Sequence, residues 1–479
     1  MLFNSIEFFI FLPIVFVLYW LVFEKKHSWQ NILILVASYI FYGWWSWKFL
    51  GLLMLCTLLD YLYGFKVASS NKRTSKVFLW LSIINNLGIL AIFKYYDFFA
   101  LELNQALNQF GIQSNLTLLH FTLPIGISFY TFHGMSYIFD IYNGKQKPAN
   151  KFIEYAIFVS FFPLLVAGPI ERASNLLPQV QNPRQFRYKQ LVDGCRLILW
   201  GLFKKVVIAD GLAGIVNSIF NNYQNENGVT LIIGAVAFSF QIYGDFSGYS
   251  DIAIGTAKLF GFELLSNFRF PYFSRNISEF WKRWNISLSS WLRDYIFIPL
   301  GGSKNGKVKT IRNIIIVFLL SGLWHGASWH YVVWASIHIC GYLLVLLFNQ
   351  QKEFKSERVL KSKIPFTIVE LWQVLITFSF VTTAWIFFRA NTVNEGVDYI
   401  KTIYIDISRN PSQLIHWGGH KLTFLYILTL VVFDWWFINN ERELRVTKNI
   451  FIRISIYIIL AILILLNLDN AATFIYFQF

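Results

Sequence analysis

Long apolar runs separated by short polar or basic stretches make up most of this chain. The first, Phe8 to Phe23, is neither preceded by a basic stretch nor followed by a small-residue cleavage site, which points to a retained helix rather than a signal peptide. Further runs lie near 31–47, 49–65, 77–93, 116–142, 152–168, 191–209, 229–243, 311–323 continuing to 348, 364–389, 422–438 and 450–468. A hydrocarbon core about 30 Å thick needs about 20 mostly apolar residues per helix, so the pattern predicts about 11 to 13 membrane segments, some re-entrant or broken. The fold class expected is all-α and polytopic. A single integral-membrane domain is expected over 1–479, with amino-terminal helices in 1–230, a polar core in 231–348 and carboxy-terminal helices in 349–479.

The stretch from Phe238 to His338 departs from simple spans, because polar residues are densest there within apolar sequence. Asn276 followed by Glu279 reads as a helix start. Phe280, Trp284, Leu288, Trp291 and Tyr295 then recur at helical spacing with Lys282 and Arg283 between them, which predicts an amphipathic helix lying along the membrane interface. Pro299-Leu300-Gly301-Gly302 ends it.

Composition agrees with a lipid environment. Hydrophobic residues are 56% and charged residues 14%, against about 25% charged in soluble domains, and the mean hydropathy is +0.49. Three cysteines, far apart and in apolar surroundings, exclude a disulfide scaffold. The net charge of +15 comes from short clusters between apolar runs, such as Lys72, Arg73 and Lys76, or Lys304, Lys307, Lys309 and Arg312. These are topogenic charges of the kind cytoplasmic loops carry, not a nucleic-acid face. With 24–30, 66–76 and 145–151 inside, the amino terminus falls outside.

Ionisable groups within such sequence are costly and need a reason. His325, in Ser321-Gly322-Leu323-Trp324-His325-Gly326, has the one side chain that exchanges a proton near neutral pH without a large shift, and its flanking glycines permit close approach. A general base and a structural histidine bonded across helices are both compatible with these residues. His325 and His330 stand about 140° apart on a helix and share no face. His416 and His420 have i, i+4 spacing but bracket Gly418 and Gly419, so no metal site is expected. Asp60, Asp140, Asp245, Asp251 and Asp434 punctuate apolar sequence; they suit ion relays in a transporter or flippase, or fixed helix contacts in an enzyme. Tyr243-Gly244-Asp245-Phe246-Ser247-Gly248-Tyr249-Ser250-Asp251 suggests a broken or tightly packed helix. Nucleophile elbow, phosphate loop and dinucleotide fingerprint are absent.

The run from Glu279 to Tyr295, then Ile298-Pro299-Leu300-Gly301-Gly302 and Gly322-Leu323-Trp324-His325-Gly326, resembles the membrane-bound O-acyltransferase (MBOAT) family, in particular its alginate-acetylating branch. Leu2-Phe3-Asn4-Ser5, Pro124 to Tyr130, Gly168-Pro169-Ile170-Glu171-Arg172 and Gly244 to Asp251 support it. The resemblance implies an MBOAT-type bundle, with interfacial helices around a central tunnel, in a bacterial cytoplasmic (inner) membrane. It implies His325 as the catalytic residue. Many alginate-type members carry histidine where this chain has Asn285, an amide that can hold a carbonyl or an oxyanion but cannot move protons. Trp281, Trp324, Arg293 and Asp294 in these motifs are candidate substrate contacts, and Arg293, Lys304, Lys307 and Lys309 are candidate phosphate contacts. No permanently bound cofactor is expected; acetyl-CoA is the implied donor. The implied acceptor is a polysaccharide, reached directly or through a secreted or membrane-anchored SGNH-type partner. D-Alanyl transfer to teichoic acid is the alternative within the same chemistry.

Overall fold

The computed structural model describes the chain apart from residues 25, 70, 166–167, 349–366, 410–420, 439–441, 443, 446, 469–473 and 476–479; His416 and His420 thus lie outside the described residues. The described residues contain helices, turns and loops but no strand. Among the described residues, seven helical stretches are long and apolar enough to cross a membrane: Trp47–Val67, Lys72–Gln109, Gly228–Leu259, Lys307–His325, Trp329–Leu347, Ile368–Arg389 and Ile450–Asn467. Ile6–Val22 and Phe152–Leu165 are shorter apolar stretches. The protein is a multi-pass membrane protein, and the further expected segments correspond to helices that are shorter, interrupted or more polar. The described chain groups into two compact units, Met1–Gly194 with Thr256–Leu265 and Cys195–Gly255 with Ser266–Phe479.

The first unit contains α1 (Ile6–Val17), α2 (His27–Gly43), α3 (Trp47–Val67), α4 (Lys72–Leu90), α5 (Tyr96–Gln109), α6 (Ile127–Tyr142), α7 (Phe152–Ser160), α8 (Phe162–Leu165) and α9 (Ala173–Gln181). The helices α3, α4 and α6 pack on one another around Asp60. Asp60 is buried and accepts hydrogen bonds from Ser82 Oγ at 2.7 Å and Asn86 Nδ2 at 2.9 Å. A Cβ on Gly134 would come within 2.1 Å of Asp60 Oδ2, so glycine is what lets α6 close over the acid. The predicted segment 116–142 is helical only from Ile127, because Pro124 and left-handed Gly126 (φ 76°) form the turn that starts it. The Glu171 carboxylate accepts from Asn175 Nδ2 and from the Leu265 amide, while the Glu171 amide donates to His133 Nε2. The Gly168–Arg172 motif is thereby a buried clasp.

The second unit takes in α10 (Tyr188–Leu202) from Cys195 on and α12 (Gly228–Leu259) as far as Gly255; α10 continues through a π-helical stretch, Phe203–Ala209, into α11 (Asp210–Asn221). It is followed by α12, α13 (Ile277–Arg283), α14 (Ile286–Leu292), α15 (Lys307–His325), α16 (Trp329–Leu347), α17 (Ile368–Arg389), α18 (Val393–Arg409), α19 (Lys421–Phe437) and α20 (Ile450–Asn467). The Gly244–Asp251 motif lies within an unbroken 32-residue helix, so the tightly packed alternative holds. A Cβ on Gly201 would fall 2.6 Å from Gly248 O, and one on Gly248 would fall 2.8 Å from Gly201 O, so the two backbones touch. That contact places the buried cations of the π-helical stretch against the acids of α12. Lys204 Nζ reaches Asp251 Oδ2 at 2.7 Å and Ser247 Oγ at 2.9 Å. Lys205 Nζ reaches Asp210 Oδ1 at 2.7 Å and Asp245 Oδ1 at 2.8 Å.

Two expectations are corrected here. The apolar stretch 311–348 is two helices, separated at Gly326-Ala327-Ser328. The predicted interfacial helix is also two helices, α13 and α14, broken at Trp284-Asn285. Asn276 does cap the first, accepting from the Glu279 amide at 2.9 Å. Arg283, expected on a polar face, is buried and bonded to Glu279.

Lys205→Met should be severely destabilising, because it leaves Asp210 and Asp245 without their shared cation in a buried setting. Removing one partner of a buried pair costs about 3–5 kcal/mol. Thermal denaturation of the detergent-solubilised protein should show a large fall in melting temperature, against a small one for the exposed Lys401→Met.

Candidate active site

His325 is the last residue of α15, and the local sequence explains the stop. Gly326 is extended, Ser328 precedes α16, and the chain reverses within three residues. The two helices then pack closely along their length. A Cβ on Gly322 would lie 2.8 Å from both Ala335 Cβ and Tyr331 O, and one on Gly326 would lie 2.2 Å from Tyr331 Cε2. The glycines flanking His325 therefore let α16 press Tyr331 and Ala335 against the end of α15.

The His325 imidazole is buried in an aromatic surround: Trp324 at 4.7 Å, Trp334 at 5.0 Å and Phe388 at 5.1 Å between ring centroids, all close to edge-on. Trp334 and Phe388 are supplied by α16 and α17, which pack together, so three helices fix the ring. His330 turns away and pairs its Nδ1 with Phe387 O at 3.1 Å. Among the described residues, no group of three or more His, Cys, Asp or Glu is placed to hold a metal ion.

Asn285 is buried, and its backbone is left-handed (φ 43°, ψ 55°). Asparagine and histidine are among the non-glycine residues enriched in that region, so the break between α13 and α14 is built into the residue type. Trp284 packs on Trp385 at 5.0 Å, Trp385 on Trp334 at 5.7 Å, and Trp334 on His325. The break that carries Asn285 and the end of α15 that carries His325 are thus joined through two tryptophans. Burial draws the Arg283 guanidinium below its usual value, while neighbouring Glu279 opposes that shift.

A cavity of about 360 Å³ opens beside this assembly. Its walls include Trp281, Lys282, Arg293, Phe318, Ser321 and Tyr342. Lys282 and Arg293 are exposed, whereas Trp281 and Ser321 are buried, so the cavity runs from cationic to apolar surroundings. Ser321 lies one helical turn before His325 on the same face of α15. Of the four candidate substrate contacts, Trp281 and Arg293 line the cavity. Trp324 packs on His325 instead, and Asp294 accepts a hydrogen bond from Arg293 Nε at 2.8 Å beyond the wall. Lys304, Lys307 and Lys309 are exposed and are not among its walls; Lys282 takes the place expected of them. Lys282, Ser321 and Tyr342 carried no sequence signal for this role, because only folding brings α13, α15 and α16 together.

The pattern describing the membrane-bound O-acyltransferase family matches residues 32–388. A probable alginate O-acetylase of Pseudomonas aeruginosa is 38% identical over 435 residues, covering 90% of this chain and 80% of that protein. A peptidoglycan O-acetyltransferase of Helicobacter pylori is 33% identical over 455 residues, covering 89% of this chain and 83% of that protein. A teichoic acid D-alanyltransferase of Bacillus subtilis is 31% identical over 273 residues, covering 54% of this chain and 66% of that protein.

Gly326→Ala should disturb the site through the Tyr331 ring, an overpacking that costs about 1–3 kcal/mol. Gly214→Ala, at a helical position with nothing within 4 Å of the added methyl, should leave stability unchanged or raise it by about 1 kcal/mol. Melting curves of the two variants in the same detergent make the comparison.

Proposed function

Since the chain belongs to the membrane-bound O-acyltransferase family and is an O-acyltransferase, we propose that it moves acetyl groups from acetyl-CoA towards hydroxyls of a cell-envelope or secreted polysaccharide. The setting proposed is a bacterial inner membrane, with a secreted or membrane-anchored SGNH-type partner receiving or directing the acetyl group. The carrying observation is the cavity that leads from the exposed cations Lys282 and Arg293 to Ser321, one turn from the buried imidazole of His325. An acyl-CoA thioester matches that gradient: phosphates suit the cationic mouth, and the uncharged thioester suits the interior.

His325 takes the proton from the acceptor hydroxyl as its oxygen attacks the thioester carbonyl carbon. The tetrahedral intermediate holds its oxyanion against the Asn285 amide or nearby backbone N–H groups. Collapse breaks the carbon–sulfur bond, and the imidazolium returns its proton to the departing CoA thiolate. The products are an ester and free CoA.

The extent of the similarities favours acetyl over D-alanyl transfer, since the D-alanyltransferase match covers 54% of this chain against about nine-tenths for the acetylating relatives. A transporter reading loses its support where Asp245 and Asp251 are ion-paired with Lys205 and Lys204, which gives these acids a helix-fixing role.

Purified protein given labelled acetyl-CoA and a saccharide acceptor should release CoA and transfer label. His325→Ala should lower the rate by about 100-fold or more while the elution profile and melting temperature stay near wild type. Asn285→His should retain more activity than Asn285→Ala, because histidine also tolerates a left-handed backbone. A His325→Ala variant as active as wild type would remove the imidazole from the mechanism.

A further inference from the structure

One turn beyond Trp334 on α16 stands another buried histidine, His338, with no exposed surface. Five aromatic rings enclose it. Phe280 stacks nearly parallel at 6.1 Å, and Trp281 and Trp334 meet it edge-on at 5.1 and 5.0 Å. Phe380 and Trp385 complete the box at 6.2 and 6.4 Å. Neither Nδ1 nor Nε2 has a hydrogen-bond partner among the described residues.

A neutral imidazole carries one donor and one acceptor, and proteins rarely leave both unmet in the interior. A phenylalanine would fill the same box without that penalty, so packing gives no reason for the nitrogens. The neighbouring groups share this property. Trp281 Nε1, Ser321 Oγ and Trp334 Nε1 are buried and also lack a hydrogen-bond partner among the described residues. Trp281 lines the cavity on one side and touches His338 on the other; Trp334 touches both His338 and His325. The unmatched polar groups therefore run from the cavity wall to the imidazole proposed as base.

We propose that His338 is a positioning residue for the acyl donor: when the donor passes Trp281, one imidazole nitrogen of His338 hydrogen-bonds the amide or carbonyl next to the thioester and sets the thioester against His325. The inference rests on the acetyl-transfer reading and adds a residue to it. The unmatched nitrogens are then matched by the donor, which is why they persist in an otherwise apolar box.

The test compares wild type, His338→Phe and His338→Gln in labelled acetyl-CoA turnover, with melting temperatures. His338→Phe should melt at or above the wild-type temperature, since it removes an unsatisfied buried polar group. Its kcat should fall by about tenfold or more, while KM for acetyl-CoA moves by less than about threefold, the pattern of a contact that sets the geometry of attack more than it holds the donor. His338→Gln, which restores a donor and an acceptor, should recover part of kcat. Wild-type kcat in His338→Phe would overturn the inference and leave the acetyl-transfer reading standing. So would a loss of kcat in both variants that tracks a fall in melting temperature. A wild type inert towards acetyl-CoA would take both down together.

Discussion

Lys205 reaches two carboxylates at once, Asp210 at 2.7 Å and Asp245 at 2.8 Å, from a position with almost no solvent exposure. In a low-dielectric interior such a charge persists only when its partners are in place, and their placement depends on the backbone contact of Gly201 with Gly248. Beside it, Lys204 closes on Asp251 at 2.7 Å. These pairs tie the π-helical stretch Phe203–Ala209 to α12 and fix one side of the second unit. The same rule governs Asp60 in the first unit, where Ser82 and Asn86 supply the hydrogen bonds that an isolated carboxylate would lack. The buried acids that punctuate the apolar sequence are in these cases held by named partners.

Against that background, the region between α13, α15 and α16 gathers several unmatched groups in one place, with Trp281, Trp334 and His338 in mutual contact. Here the polar atoms of Trp281, Ser321, Trp334 and His338 have no hydrogen-bond partner among the described residues. On the proposed reading, a bound donor completes the hydrogen bonding of these groups. The close packing of α15 on α16, made possible by Gly322 and Gly326, keeps the groups in register.

Much of this was legible in the sequence, but not all of it. His325 was legible because a histidine between glycines in apolar sequence is rare and expensive, and the contacts of Gly322 and Gly326 give the glycines their reason. The all-helical membrane fold was legible from apolar runs. The break at Asn285 was not, because Phe280, Trp284, Leu288 and Trp291 keep helical spacing across it and all are buried. Periodicity reports which residues face the core; it does not report a left-handed residue between two short helices that bury the same face. The amphipathic α18 was missed because it never becomes apolar enough to read as a span; of its residues only Gly396 and Tyr399 are buried. The cavity was illegible for another reason, since its walls come from α13, α14 and α15, the turn after α14, and Tyr342 of α16.

The left-handed backbone at Asn285 also bears on how the two polar motifs share the chemistry. A left-handed position in a tight break selects asparagine, aspartate or histidine over most other residues. Asparagine and histidine have in common a hydrogen-bond donor on a short side chain; only histidine can carry a proton near neutral pH. A chain with asparagine there keeps the donor and gives up the titrating group; on the proposed mechanism, proton transfer then falls to His325 and the break holds charge or carbonyl. The geometry fits that division: His325 is fixed by rings from three segments, and the Asn285 break is linked to it through Trp385 and Trp334. The arrangement joins the Asn285 break and the imidazole proposed as base through one aromatic frame, with the hydrogen-bonding side chain and that imidazole on separate segments.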